Sequence, residues 1–263
     1  MRTKVLITAS LVVAVVAVWF GSKRLHRFAY WAERHEPAAI ERLATGGWRV
    51  DRFAPAPQVE LFGLWRPVRS PQGRHVVYLP GNSGAVLAGF QDVLTRAAGE
   101  RDIAFAFWAP RGFDASIGTP SPQALADDAI ACWDRATREF RFPERRELWG
   151  YSLGSALAVE VAARLCARGT PPSRLLLLAA GDVIPVMPAG VLGRFLPDDR
   201  YDALAAAPRV TCPVTIVHGA LDDALPLAGA RRLQQAFPGE VEFRELPGVG
   251  HVDLLGRLGS LDL

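Results

Sequence analysis

From residue 75 onward, short runs of consecutive apolar residues alternate with longer mixed stretches. His75–Leu79, Ile103–Trp108, Glu147–Gly150, Arg174–Ala180, Val214–His218 and Val241–Leu246 have the length and content of strands. Between them, Ala85–Gly99, Ser121–Arg138, Leu153–Arg168 and Leu227–Phe237 read as helices, with Ser121 and Pro122 in N-cap and first-turn positions. The leucine run in 174–180 suits a strand buried on both faces. Such alternation predicts a mostly parallel sheet covered by helices on both faces, an α/β fold. Ahead of it, Trp48–Phe53 and Val59–Trp65 read as β-runs about a Pro-rich turn, Ala54–Pro57, and the tail from Val252 as a short amphipathic helix. No internal repeat or low-complexity tract interrupts the pattern.

The N-terminus breaks it. Val5–Phe20 is apolar apart from Thr8 and Ser10, with Arg2 and Lys4 before it and Lys23, Arg24 and Arg27 after it. This is slightly short of the ~20 residues that span a bilayer comfortably, but flanking Lys and Arg can snorkel and Trp19 suits the interface. A cleaved signal peptide would need small residues at its exit, where this chain has Trp19 and Phe20. The expectation is therefore an uncleaved membrane anchor over 1–21. Positive residues flank it on both sides, so the charge rule does not choose the side on which the domain lies. Residues 22–46, charged, aromatic and Ala-rich up to Gly46-Gly47, read as a juxtamembrane helical segment, and 47–263 as one domain.

Composition adds bounds. Half of the 263 residues are hydrophobic, enough for a single large core. The net charge of +3 is spread along the chain without a basic block or aromatic-basic interleaving, which argues against nucleic acid as a partner. Cys132, Cys166 and Cys212 are odd in number and lack metal-ligand spacing, so buried reduced thiols are expected and neither a metal nor an organic cofactor is implied.

The chemistry-bearing stretch is Gly150-Tyr151-Ser152-Leu153-Gly154, between an apolar strand and an Ala-rich helix. In that context G-x-S-x-G is a nucleophile elbow. The tight turn strains Ser152 and lifts its hydroxyl clear of the sheet, the glycines let neighbouring chain pass, and the next helix points its N-terminus at a developing oxyanion. Ser152 in an ordinary capped turn is the alternative. A serine nucleophile needs a base, and the base an orienting carboxylate, in the chain order Ser, acid, His. His251, after the Gly-rich loop Pro247–Gly250, is favoured over His218, which ends a strand and reads as a ring capping backbone. Asp222, on the loop after Val214–His218, is favoured as the acid over its neighbour Asp223 and over Asp182. Asp253 lies too close to the base and reads as a cap of the tail helix. The oxyanion donors expected are the backbone N–H groups of Leu153 and of Asn82, in the loop Pro80-Gly81-Asn82-Ser83-Gly84.

With these motifs in order, the chain resembles the α/β-hydrolase superfamily, in particular its small membrane-anchored branch related to the serine aminopeptidase-like hydrolases. The resemblance covers Trp48 to the C-terminus. It rests also on Leu61–Trp65 with Pro67, on Arg111–Ser116 continuing to Gly118–Ser121, and on Cys212-Pro213-Val214 leading to His218-Gly219. It implies the α/β-hydrolase fold, preceded here by the N-terminal membrane helix. Relatives usually carry His where this chain has Pro80, which leaves the backbone donor but alters the loop around it. Many insert a cap where 181–210 is a short connection with Pro185, Pro188 and Pro197, so an open site without a large lid is expected.

The function this implies is a serine hydrolase acting on small carboxylic esters or thioesters through an acyl-enzyme, with Ser152, Asp222 and His251 as its catalytic residues. A membrane anchor would favour lipid-derived acyl chains, as in lysolipids, acylglycerols or acylated proteins. A serine peptidase of aminopeptidase type and a non-catalytic membrane-tethered binding module on the same fold are the alternatives.

Overall fold

The computed structural model describes residues 30, 32–70, 72–143, 146–185 and 200–263. The expected anchor over 1–21 lies outside the described residues. Among those described, no helix is long and apolar enough to cross a membrane. The described part of 22–46 contains one short helix, α1 (Pro37–Glu41).

The apolar runs assemble into one sheet. Its strands are β1 (Arg49–Ala56), β2 (Val59–Arg66), β3 (Arg74–Leu79), β4 (Ile103–Trp108), β5 (Glu147–Tyr151) and β6 (Arg174–Leu178). A two-stranded ribbon, β7 (Val183–Pro185) with β8 (Arg200–Asp202), follows, and β9 (Val214–Gly219) and β10 (Val241–Leu246) return to the main sheet. The order across that eight-stranded sheet is β1-β2-β4-β3-β5-β6-β9-β10. β1 pairs antiparallel with β2, and β2 with β4; from β4 to β10 every pairing is parallel. The helices connecting the parallel strands are α2 (Val86–Ala98), α3 (Pro122–Phe140), α4 (Leu153–Ala167) and, after the short α5 (Ala203–Ala206), α6 (Leu227–Ala236); α7 (Asp253–Arg257) closes the chain. Ser121 caps α3 by accepting a hydrogen bond from the Ala124 N–H.

Boundaries differ from expectation where a single residue takes a left-handed turn. β6 stops at Leu178 because Ala179 has φ 48°, and α3 runs on to Phe140, where Arg141 at φ 54° ends it. The first hairpin turns at Pro57-Gln58 rather than over 54–57; Gln58 supplies φ 61°. Pro55 is tolerated inside β1 because β1 is an edge strand, and the register shifts between Phe53 and Ala56.

The core follows from the pattern. All residues of β4, β5 and β9 are buried, as are Leu175–Leu178 of β6. α4 is buried almost all round, and its alanines let it lie close on the sheet. At the N-terminal ends of the strands Glu147 accepts hydrogen bonds from Arg74, Arg174 and the Trp149 indole, joining β3, β5 and β6. The C-terminal ends face the other way and carry Ser152, Asp222 and His251 on the turns and loops that follow β5, β9 and β10.

Candidate active site

Ser152 occupies the one-residue turn between β5 and α4 with φ 53° and ψ −121°. A non-glycine residue held there costs on the order of 1–3 kcal/mol, and the surroundings must impose it. Ser152 N–H donates to Leu178 O at 3.0 Å, and the buried Ser155 hydroxyl donates to Ser152 O at 2.6 Å. Close packing removes room for side chains beside the turn. A Cβ on Gly150 would lie 2.3 Å from Gly154 O, and one on Gly154 would lie 2.2 Å from Leu79 O and 2.5 Å from Pro80 O. The end of β3 and the loop that follows it thus rest directly on the start of α4.

His251 follows β10 on the loop Pro247–Gly250, where Gly248 has φ 70°. Its Nε2 lies 2.9 Å from Ser152 Oγ, and its Nδ1 lies 2.7 Å from Asp222 Oδ2. A carboxylate only accepts, so Nδ1–H donates to Asp222 and Nε2 is left to accept the serine proton. The Tyr151 hydroxyl donates to His251 O at 3.1 Å, fixing the loop. The loops carrying Asp222 and His251 touch through backbone: Leu221 N–H donates to Val249 O at 2.9 Å, and a Cβ on Gly219 would lie 2.2 Å from the same oxygen.

Asp222 is buried and its second oxygen, Oδ1, accepts from the Ala224 and Leu225 N–H groups at 3.0 and 2.8 Å. Burial pushes this carboxyl up, but the bonds from His251 and Leu225 outweigh it and hold it below the usual range. Asp223 is exposed on the same loop. Asp182 is engaged elsewhere, by Arg232 and the Val183 N–H, and Asp253 accepts from the Gly250 N–H at 3.2 Å. His218 donates through Nε2 to Leu225 O at 2.9 Å, and the same nitrogen lies 3.6 Å from Asp222 Oδ2. Burial pushes its pKa down, so it is a neutral ring packed beneath the acid.

Asn82 and Leu153 line a cleft of about 470 Å³ together with Ser152 and His251. Its other walls are mostly apolar, among them Tyr30, Ile184, Tyr201, Val252 and Leu255. Sequence reasoning gave Tyr30 and Tyr201 no role. Their hydroxyls are hydrogen-bonded at 3.0 Å across 171 positions, and no local pattern announces such a contact. Asp114 was legible only as part of the Arg111–Ser116 stretch. It has φ 45° and is buried; its Oδ2 accepts from Leu87 N–H in the first turn of α2, and its Oδ1 bonds His35 Nδ1 at 2.9 Å. It thereby fixes the exit of the loop that carries Asn82. The strand order together with the strained serine turn decides the fold class, and comparison with solved structures agrees. An α/β hydrolase from Vibrio vulnificus superposes with a TM-score of 0.70 at 19% identity, over 90% of each chain.

The chain is an α/β-hydrolase by fold.

No family model matches the sequence. Among curated α/β-hydrolase relatives, lysophosphatidylserine lipase ABHD12 of Danio rerio is 26% identical over 199 residues, 65% of this chain and 52% of that protein. An uncharacterized protein of Mycobacterium tuberculosis is 32% identical over 148 residues, 54% of this chain and 51% of that one. The chain thus spans about half the length of the curated relatives it matches.

Proposed function

We propose that this α/β-hydrolase cleaves carboxylic esters or thioesters with Ser152 as nucleophile. The observation that carries the reading is the hydrogen-bonded line from Asp222 through His251 to Ser152 Oγ, 2.7 and 2.9 Å long. His251 Nε2 takes the hydroxyl proton as Ser152 Oγ bonds to the acyl carbon, and Asp222 stabilises the imidazolium so formed. The carbonyl oxygen, now an oxyanion, is held by the backbone N–H groups of Asn82 and Leu153. Collapse expels the alcohol or thiol with the proton from His251 Nε2, leaving Ser152 acylated. Water, deprotonated by the same nitrogen, then releases the acid. The apolar walls of the cleft suit an amphiphilic substrate, and the lipase activity named for the Danio rerio relative favours esters of that kind. An N-terminal anchor over 1–21 would hold the site where such substrates collect.

Labelling with a fluorophosphonate probe tests the nucleophile. Wild type is expected to label and to turn over p-nitrophenyl acetate, and Ser152→Ala to do neither while melting at an unchanged or higher temperature. Turnover in the alanine variant within a few-fold of wild type would remove Ser152 from the mechanism. A wild type that does not label would favour the non-catalytic binding module.

A further inference from the structure

Two of the three cysteines meet at the end of the sheet away from the cleft. Cys132 is buried, as the sequence led one to expect, but Cys166 and Cys212 are only partly buried, and all three are free thiols. Cys166 is the penultimate residue of α4, and Cys212 lies two residues before β9. Two donors converge on the Cys166 sulfur. One is the Thr211 N–H at 3.4 Å, from 45 positions along the chain, and the other is the Cys212 thiol. The two sulfurs are therefore in hydrogen-bond contact between the end of α4 and the entry to β9. A cavity of about 230 Å³ opens beside Cys212, lined also by Val210, Thr211, Phe237 and Gly239. Burial and the neighbouring Cys166 sulfur push the Cys212 thiol up to about 12, so Cys212 holds its proton while Cys166 is unmodified.

We propose that Cys166 and Cys212 are a modification site, which a low-molecular-weight disulfide such as oxidised glutathione converts into an intramolecular disulfide stapling α4 to β9. The proposal goes beyond the hydrolase reading and does not depend on it. Cys166, as the thiolate, attacks one sulfur of the external disulfide, whose S–S bond breaks. One external thiolate leaves and takes up a proton, and Cys166 is left in a mixed disulfide. Cys166 then no longer carries the negative charge that opposed ionisation of Cys212. Cys212 gives its proton to solvent and attacks Cys166 Sγ; the mixed S–S bond breaks and the second external thiol departs. Two protein thiols are oxidised, and one external disulfide is reduced to two thiols. The cavity beside Cys212 gives the external group room while this happens. Leu153 begins α4 and β9 leads to Asp222, but the cysteines lie at the opposite ends of both elements. The 15 residues of α4 put the pair about 20 Å from Ser152, so the staple acts on stability and leaves the cleft alone. The loop it closes, about 45 residues long, is enough to raise the melting temperature by roughly 5–15 °C.

The test equilibrates the full-length protein, in detergent, with reduced or with oxidised glutathione. Each sample is then denatured, alkylated with iodoacetamide and analysed by intact mass, and a parallel sample is melted. Reduced protein is expected to carry three adducts, one for each cysteine. Oxidised protein should carry one, on Cys132, and proteolysis should yield a peptide pair joined through Cys166 and Cys212. It should melt roughly 5–15 °C higher than the reduced form, a difference that Cys166→Ser and Cys212→Ser each abolish. The wild-type comparison decides the matter alone if a variant fails to fold. Three adducts after oxidation, a glutathione adduct that persists on Cys166, or a disulfide between two chains would overturn the proposal. So would a Cys166–Cys212 disulfide that leaves the melting temperature unchanged, or a serine variant that keeps the oxidation-dependent rise.

Discussion

At the scale of single residues, two adjacent aspartates separate a site group from a solvated neighbour. Asp222 is buried, accepts two backbone N–H bonds and meets His251 at 2.7 Å, whereas Asp223 is exposed. Asp222→Asn should therefore lower ester turnover by about 10⁴-fold, the cost of an imidazole held in the wrong tautomer, and Asp223→Asn by less than about twofold. Steady-state kinetics on one ester decides it, and the reverse ranking would mean that another carboxylate orients His251. The residues that local pattern singled out, Ser152, Asp222, His251, Asn82 and Leu153, all lie around one cleft or on its acid. Each sits at the turn or in the loop that follows the C-terminal end of a strand, and those strand ends are what hydrophobic periodicity marks. His218 was readable as a backbone cap, but its place 3.6 Å from Asp222 Oδ2 was not. Tyr30 and Tyr201 were not legible either, because distant elements meeting in three dimensions bring them together.

At the scale of elements, the site depends on how closely β3, β5 and α4 approach one another. Gly154 is the tightest point. A methyl there would press on Leu79 O and Pro80 O, so either α4 or the loop bearing Asn82 must move. Gly154→Ala is expected to cost about 10²–10³-fold in kcat, the loss that follows a displaced oxyanion donor, with the far-UV circular dichroism of the domain retained. Gly89, on the exposed side of α2, is the control. Nothing lies within 4 Å of a Cβ built there, so Gly89→Ala should leave kcat alone and stabilise by roughly 0.5–1 kcal/mol. A Gly154→Ala enzyme as active as Gly89→Ala would show that the loop does not rest on α4 as tightly as the packing indicates. Sequence alternation gave the strands and helices to within a few residues because apolar runs and capping signals are local. It placed the first hairpin turn two residues early and missed β7 and β8, since short, half-exposed strands carry little periodicity.

At the scale of the whole molecule, the two ends of the sheet do different work. The C-terminal ends gather the serine, histidine and aspartate, while the N-terminal ends are tied by the Glu147 network. Burial pushes the Glu147 carboxyl up, but bonds from Arg74 and Trp149 and the charges of Arg174 and Arg74 prevail, leaving it below its ordinary value of 4.5. A depressed folded value adds stability that is complete above pH 4.5 and is lost as pH falls through the depressed value. Glu147→Gln should thus be less stable than wild type by about 3 kcal/mol at neutral pH, with the gap narrowing in acid. Urea titrations at both pH values measure it, and a gap independent of pH would mean that the ion pairs are not its source.

Tyr30 and His35 stand between the expected membrane anchor over 1–21 and the cleft. His35 bonds Asp114 by both its backbone N–H, at 3.0 Å to Asp114 O, and its Nδ1, at 2.9 Å to Oδ1. Tyr30 bonds Tyr201 and packs edge-on against Phe113 with ring centroids 6.1 Å apart. These contacts tie Tyr30 and His35 to the hydrolase domain, upstream of the expected boundary at Gly47. Removing 1–21 should therefore release a soluble protein from carbonate-washed membranes with its melting temperature and ester turnover intact. Removing 1–36 should destabilise it by roughly 1–3 kcal/mol, since Asp114 stays buried without its His35 partner. Turnover should fall as well, because Asp114 anchors Leu87 beyond the Asn82 loop and Tyr30 no longer walls the cleft. Equal stability and activity in the two truncations would show that the segment merely leads to the domain. Loss of activity already at 1–21 would mean that the residues before Tyr30 take part as well.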